Sequence, residues 1–183
     1  MKSPNATDEE LAILTLRDSR RFDVLVERYT DKIVRYVARV IGQKHDAEDV
    51  TQEVFLKAFV NIASFNAKLK FSSWLYRIAH NESVNFIKKH YRHKKVVFDE
   101  AVLYETSSEK TIFDKLAAED DVRLVRRALA RLAPRDRELL ELAFWEEKSY
   151  LEIADILKMS VNSVGPSIHR AKNKMREICK EIK

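Results

Sequence analysis

The segment from Ser149 to Ala171 constrains the fold more than any other, because its polar and apolar residues recur as in two helices joined by a tight turn. Ser149 can cap the first helix while Glu152, three residues on, reaches back to the backbone amide of the cap. Ser160 offers a second cap after the short Lys158-Met159 connection. The apolar stripes comprise Ile153, Ile156 and Leu157 in the first helix and Val161, Val164 and Ile168 in the second. With the basic run HRAKNKMR that follows, the pattern predicts a DNA-binding helix-turn-helix; an ordinary helical hairpin is the alternative.

Two features of this motif depart from the usual pattern. Gly165-Pro166 falls where the second helix should be under way, and an interior proline costs about 3 kcal/mol, so the helix is expected to start late or to kink. Lys158 occupies a turn position that favours glycine in the left-handed conformation, where another residue costs on the order of 1 kcal/mol.

Composition indicates an all-α protein. The 183 residues include only two glycines and three prolines, while 45% are hydrophobic and 34% are charged, which suits amphipathic helices throughout. The formal charge of +5 suggests an anionic partner. The single cysteine, Cys179, excludes an internal disulfide and a cysteine-based zinc cage. Because the start of the chain shows no apolar signal segment and no run is long enough to cross a bilayer, we expect a cytoplasmic protein.

Apolar spacing divides the chain into two small helical domains joined by an acidic linker. Caps at Thr7 and Asp46, an end at Gly42 and a start near Ser72 predict the helices of an N-terminal domain, residues 1–93. Pro134 suits the first turn of a later helix. From Asp99 to Asp121 there are eight acidic residues against two lysines, so residues 94–118 are predicted to be a linker. Helical spacing then resumes, and residues 119–183 form the predicted C-terminal helix-turn-helix domain.

The fourth predicted helix carries a polar face suited to nucleic acid. Cations and amides recur on it at three- and four-residue spacing, at Arg77, Asn81, Asn85, Lys88 and Arg92, and KKHYRHKK adds five cations without an acid. Asparagine can hydrogen-bond bases or backbone while lysine and arginine neutralise phosphate. Trp74, Tyr76 and Tyr91 could stack on unpaired bases. A solvated charged face, with Trp74 in the core, is the alternative.

The third predicted helix is acidic, with Asp46, Glu48, Asp49 and Glu53 within eight residues. Such a face would repel DNA, so it is either a docking surface for a basic partner or, as spacing alone favours, a helix start with favourable charge. Catalysis finds little support, because the histidines are scattered and no serine or cysteine has the context of a nucleophile. We expect no enzyme, no catalytic residue, no metal, no cofactor and no small-molecule substrate.

Three segments in order resemble the small bacterial sigma factors of the extracytoplasmic-function (ECF) type. DAEDVTQEVFLKAF is similar to the polymerase-docking helix of that family, SFNAKLKFSSWLYRIAHNESVNFI to its promoter-melting segment, and LAPRDRELLELAFWEEKSYLEIADIL with HRAKNKMRE to its C-terminal helix-turn-helix. The resemblance implies a factor that joins core RNA polymerase, directs it to promoter DNA and helps to melt the minus-ten element. It also implies control by an anti-sigma factor, often membrane-bound, and a linker that runs through the polymerase cleft.

The resemblance also assigns roles to residues of the N-terminal domain. Asp49, Gln52 and Glu53 match the positions that meet the largest polymerase subunit, in favour of the docking interpretation. Residues 66–70 match the loop that captures a flipped minus-ten base, although the common glycine is missing. The predicted minus-ten contacts are Asn66, Lys68, Trp74, Arg77, Asn81, Asn85, Lys88 and Arg92.

The recognition helix departs from the family pattern. Gly165, Pro166 and Ser167 stand where relatives usually carry a lysine, a serine and an arginine that face the minus-thirty-five element. The candidates for minus-thirty-five contacts are therefore Asn162, Ser163, Ser167 and His169 on bases, with Arg170 and Lys172 on phosphate. A stand-alone regulator that binds a palindrome as a dimer is the alternative function, and a helical interaction protein that no longer reads DNA is a third.

Overall fold

The computed structural model describes residues 6–90 and 119–182, and within these ranges all regular structure is helical. The helices are α1 (Asp8–Thr15), α2 (Arg21–Ile41), α3 (Lys44–Val60), a short 3-10 turn (Ile62–Ser64), α4 (Phe71–His90), α5 (Glu119–Arg131), α6 (Pro134–Phe144), α7 (Tyr150–Ile156) and α8 (Val161–Ile182). The predicted all-α fold is confirmed. Among the described residues, no helix has the length and apolar character needed to cross a membrane. The predicted linker, residues 94–118, lies outside the described residues.

Local capping signals fix several helix ends as predicted. The Thr7 hydroxyl accepts from the Glu10 amide at 3.2 Å, and the Glu10 carboxylate accepts from the Thr7 amide at 2.9 Å. This reciprocal pair satisfies two amide donors that the start of α1 would otherwise leave free. Gly42 ends α2 in the left-handed conformation, with φ of 83°, and donates its amide to the Ala38 carbonyl at 2.8 Å.

The start of α3 differs from the prediction, whereas α4 begins next to the predicted start near Ser72. α3 begins at Lys44, after Gln43, and Asp46 lies inside its first turn, so Asp46 is not the predicted cap. A carboxylate there still favours the helix, because the amide end of the helix dipole is positive. α4 begins at Phe71, whose amide donates to the Glu9 carboxylate of α1 at 2.8 Å. A long-range acceptor therefore takes the place of a local cap.

An aromatic core holds α1 to α4 together. Phe22 of α2 contacts Phe55 and Phe59 of α3 edge-on, at centroid distances of 6.4 and 5.2 Å. At the other end, the ring of Phe71 contacts Tyr29 at 5.7 Å. Such edge-to-face pairs add about 0.5–1.5 kcal/mol each beyond the burial of apolar surface. They fix α3 and α4, the two helices with predicted binding faces, on one scaffold.

In the C-terminal domain, α6, α7 and α8 pack around apolar side chains from each helix. The buried set includes Leu139, Leu140, Leu142, Ile153, Ile156, Val164 and Ile168. Pro134 stands in the first turn of α6, as predicted, where its missing amide costs nothing. The residues predicted for the helix-turn-helix core are therefore buried, except Val161, which is the first residue of α8 and is 40% exposed.

The two domains pack against each other through buried polar groups. Tyr36 of α2 and Tyr76 of α4 lie edge-on at 5.0 Å, and both are fully buried. The Tyr36 hydroxyl donates to Glu138 of α6 at 2.5 Å. Arg39 of α2 forms an ion pair with Glu141 of α6, and the two side chains are only 7% and 4% exposed. The apolar pattern of either domain alone gave no sign of this interface.

Candidate functional site

The exposed face of α3 presents the predicted docking residues to solvent. The exposed residues are Asp49, Gln52 and Glu53, while the neighbouring Val50 and Val54 are buried. None of the three exposed side chains forms a hydrogen bond or ion pair with the described part of the chain. Because residues three and four apart share one helix face, the three form a single acidic and amide row that is available to a partner.

This row continues into apolar side chains that sequence analysis missed. Leu56 is 56% exposed and Val60 is 69% exposed, although both are large hydrophobic residues. Leu56 lies three residues after Glu53 and Val60 four residues after Leu56, so both share its face. A helical projection of α3 would have revealed the apolar extension. Exposed apolar residues next to unpaired carboxylates are typical of a protein-binding surface.

The polar face of α4 carries the residues predicted to contact the minus-ten element. Asn85 and Lys88 are exposed, and Arg77 and Asn81 are half-buried. The guanidinium of Arg77 donates to Asp155 of α7 at 2.8 Å. Arg77 is therefore paired with the helix-turn-helix domain. Arg92 lies outside the described residues, as does Tyr91.

The loop before α4 brings two further predicted residues to the surface. Asn66 and Lys68 are both exposed. The Asn66 side-chain oxygen accepts from the Lys68 amide at 3.0 Å, which forms an Asx-turn. The side-chain NH₂ group of Asn66 and the ammonium of Lys68 have no partner among the described residues. The loop thus has a defined turn without a glycine.

Trp74 is a correction to the predicted set of DNA contacts. Its side chain is only 7% exposed, and its ring packs against Phe65 at 5.4 Å and Phe71 at 5.7 Å. A ring enclosed in this way is unable to stack on a base. Of the two alternatives that the sequence left open, burial therefore favours the core, and Tyr76 is buried as well.

The helix-turn-helix has the predicted geometry. The Ser149 hydroxyl accepts from the Glu152 amide at 3.4 Å, and Glu152 accepts from the Ser149 amide at 2.9 Å, so the capping box is formed. Lys158 takes the left-handed conformation, with φ of 51°, at the turn where glycine is usual. The chain therefore accepts a strained lysine in order to keep the tight turn.

The recognition helix α8 differs from the prediction in one respect. It begins at Val161 and runs on to Ile182 with Pro166 inside it, so it does not start late. Pro166 has no amide to donate to the Asn162 carbonyl four residues earlier, and the loss is confined to that bond. Packing of Val164 and Ile168, both buried, holds the helix across it.

The predicted minus-thirty-five residues lie on the accessible side of α8. Asn162, Ser163, His169, Arg170 and Lys172 are exposed, and Ser167 is half-buried. Arg170 donates to the Ser167 hydroxyl at 2.9 Å, and Lys172 lies 5.2 Å from the ring centroid of Phe144. Apart from Lys172, which leans towards α6, these side chains form a surface of the kind that enters a major groove.

Acidic side chains of the C-terminal domain cover part of α4. The Ser73 hydroxyl donates to Glu152 at 2.8 Å, and Lys70 lies 3.5 Å from the same carboxylate. His80 contacts Glu138 at 2.7 Å. Carboxylates of α6 and α7 therefore lie directly beside α4 and the loop before it. Sequence analysis did not predict these contacts because the partners are far apart along the chain.

Burial shifts the pKa values of the groups at this interface. Burial raises the pKa of Glu141 to about 7, although the guanidinium of Arg39 opposes the rise. Burial lowers the pKa of Arg137 to about 10, with Glu141 and Glu138 acting in the opposite direction. Both directions reflect the cost of holding charge away from water. The interface therefore depends on keeping its charges paired.

Glu152 shows the reverse shift. Burial would raise its pKa, but hydrogen bonds from Ser149 and Ser73 and the nearby Lys70 outweigh burial and lower the pKa to about 2. Hydrogen bonds to a carboxylate stabilise its charged form. One ionised side chain thus caps α7 and also joins α7 to the start of α4.

Both halves of the chain match models of one protein family. The model described as "Sigma-70 region 2" matches residues 25–93, and "Sigma-70, region 4" matches residues 123–175. The ECF RNA polymerase sigma factor SigW of Bacillus subtilis (strain 168) is 33% identical over 175 residues, which cover 90% of this chain and 92% of SigW. This chain belongs to the ECF sigma factors. Its family is therefore one of transcription initiation factors.

Two solved structures share the fold of this chain. CnrH, solved in complex with the cytosolic domain of CnrY, is 26% identical, with a TM-score of 0.69 over 95% of this chain and 97% of that chain. The sigma factor RpoE from Bartonella quintana, solved with the anti-sigma factor NepR, is 21% identical, with a TM-score of 0.65 over 87% of this chain and 96% of that chain. This sigma factor thus has the helical arrangement of its relatives in both domains.

Proposed function

We propose that this sigma factor binds core RNA polymerase through the row of Asp49, Gln52 and Glu53 on α3. The observation that carries the proposal is that all three side chains are exposed and unpaired within the described residues of a basic chain. A row of carboxylates kept free of intramolecular partners suits a cationic protein surface. The exposed Leu56 and Val60 add apolar contact area to the same face.

We propose that α4 and the loop before it contact the minus-ten element. The proposed contacts are Asn66, Lys68, Arg77, Asn81, Asn85 and Lys88, with Arg92 assigned from sequence alone. Cations on this face would neutralise phosphates, while the asparagine amides can hydrogen-bond unpaired bases. Because Arg77 is paired with Asp155, we infer that the two domains separate before this face meets DNA.

We propose that α8 reads the minus-thirty-five element. Asn162, Ser163, Ser167 and His169 are the proposed base contacts, and Arg170 and Lys172 the proposed phosphate contacts. The exposed side of a continuous helix after a tight turn supports this assignment. The protein then acts by recruitment and duplex melting, with no covalent chemistry and no cofactor.

We also propose that an anti-sigma factor controls this protein, and that it works in the cytoplasm. The similarity to CnrH, which was solved with the cytosolic domain of CnrY, supports the proposal. An inhibitor that holds the domains together would keep Arg77 on Asp155 and α4 away from promoter DNA. The reading frames beside its gene are the place to search for that inhibitor.

Transcription with purified core polymerase tests the function. Core enzyme is supplied with a panel of promoters from the source organism, with and without this protein, and transcripts are mapped. We expect transcripts from a subset of promoters only when the protein is present. No protein-dependent transcript from any promoter would contradict the proposal. Tight binding of a palindromic duplex by a dimer without core enzyme would instead support a stand-alone regulator.

A further inference from the structure

The recognition helix has a gap at Gly165 that a tyrosine from the preceding helix fills. A Cβ atom built on Gly165 would lie 3.3 Å from Cε2 of Tyr150, 3.8 Å from its Cζ and 3.8 Å from its hydroxyl oxygen. The Tyr150 ring therefore covers the place on α8 where the side chain of any other residue would begin. Glycine is unfavourable inside a helix, and its presence here is explained by this close approach.

The backbone of Tyr150 is fixed, while its side chain is largely exposed. It is the first residue of α7, immediately after the Ser149 cap, so the capping box fixes its backbone. Its side chain remains 52% exposed. The hydroxyl forms no hydrogen bond with the described part of the chain. A phenol hydroxyl without an intramolecular partner can still donate one hydrogen bond and accept others.

The position of the Tyr150 ring matters because glycine leaves α8 without a side chain at position 165. Gly165 stands on α8 between Asn162 and His169, two exposed residues of the proposed reading surface. A side chain at position 165 would project from the same region of the helix. Without one, α8 itself presents no hydrogen-bonding group there, and Tyr150 is the residue that lies over the gap.

We propose that Tyr150 takes the place of the side chain missing at Gly165, and that its hydroxyl hydrogen-bonds a base edge of the minus-thirty-five element. The inference rests on the proposed promoter-reading function and adds a specificity-determining residue from outside the recognition helix. The hydroxyl can donate to the acceptors of a purine or accept from the exocyclic amine of adenine or cytosine in the major groove. The Gly165 gap brings that hydroxyl close to the helix surface.

The test compares matched variants in the reconstituted holoenzyme on a promoter library with a randomised minus-thirty-five element. Tyr150→Phe keeps the ring on Gly165 and removes only the hydroxyl. Since one net hydrogen bond is worth on the order of a five-fold change in an equilibrium constant, we expect about five-fold weaker discrimination at one base pair. Core association and minus-ten preference should stay as in the unchanged protein.

A second variant tests the role of the gap. Gly165→Ala would place its Cβ 3.3 Å from the Tyr150 ring, so the ring must shift by a few tenths of an ångström. We expect Gly165→Ala to alter preference at the base pair that Tyr150→Phe affects. Circular dichroism checks that each variant keeps its helices.

Three results would overturn the inference in distinguishable ways. A base-preference profile for Tyr150→Phe identical to that of the unchanged protein would show that the hydroxyl reads no base. A uniform loss of transcription across the library would assign the hydroxyl to the phosphate backbone instead. Absence of any protein-dependent transcript, even with the unchanged chain, would overturn the proposed function and this inference with it.

Discussion

Replacing Arg39 with methionine should open the molecule without unfolding either domain. Arg39 and Glu141 form a buried ion pair, with side chains 7% and 4% exposed, and they belong to different domains. Removing one partner of such a pair costs about 3–5 kcal/mol, because the remaining charge stays buried without its ion-pair partner. When the domains separate, Glu141 is solvated again. The substitution therefore destabilises the packing of the two domains against each other and not the fold of either domain.

The size of the effect follows from that cost. Since each 1.4 kcal/mol is a factor of ten, Arg39→Met should lower the ratio of closed to open molecules by roughly 100- to 1000-fold at pH 8. Small-angle scattering would report this as a larger radius of gyration, while circular dichroism reports unchanged helix content. Lys174→Met is the matched control, because Lys174 pairs with Asp136 within one domain and is 59% exposed. Such a pair contributes at most about 1 kcal/mol.

Lowering the pH should restore closure in part. The pKa of Glu141 in the closed form, about 7, lies above its ordinary value of 4.5, and Arg39 acts to lower it. Without Arg39 the closed-form pKa rises further, so at pH 6 the buried carboxyl is protonated and neutral. The stabilisation of the closed form by the protonated Glu141 carboxyl is therefore fully present below pH 4.5. It is lost as the pH rises through the pKa of Glu141 in the closed form. A radius of gyration for Arg39→Met at pH 8 equal to that of the unchanged protein would refute this reasoning.

Three other variants test the remaining assignments. Asp49→Lys with Glu53→Lys should abolish association with core polymerase in a pull-down while the protein stays folded, because both side chains are exposed; undiminished binding would count against the docking row. Asn81→Ala should weaken promoter opening, measured by permanganate footprinting, more than core binding, and equal losses would contradict its role. Ser149→Ala removes a helix cap and should reduce the stability of the C-terminal domain to thermal unfolding by about 1 kcal/mol, whereas an unchanged melting temperature would show that Glu152 suffices alone.

Sequence analysis succeeded where the cause of a structure lies within a few residues. The capping boxes at Thr7 and Ser149 each join groups three residues apart, and Gly42 ends α2 by its own backbone conformation. The rows of polar residues on α3 and α4 follow from helical spacing alone. Asp46 was wrong as a cap because a carboxylate also suits the first turn, and both positions have the same sequence pattern.

Prediction failed where the cause lies elsewhere in the chain. Arg39 and Glu141 are 102 residues apart, so no local pattern indicates their pairing. Trp74 has both an apolar body and a polar edge, and only the positions of Phe65 and Phe71 decide that it is buried. The helix through Pro166 likewise survives because tertiary packing compensates for one lost hydrogen bond.

The hydrogen bond from the Phe71 amide to Glu9 has a practical consequence for handling this protein. It joins α1 to the residue that directly follows residues 66–70, the loop proposed to contact the minus-ten element. A deletion that removes α1 would release this amide, and the register of Asn66 and Lys68 relative to α4 would lose its anchor. Purification tags and shortened versions should therefore leave α1 intact. We expect a change in α1 to impair promoter melting, although α1 lies far from α4 in the sequence.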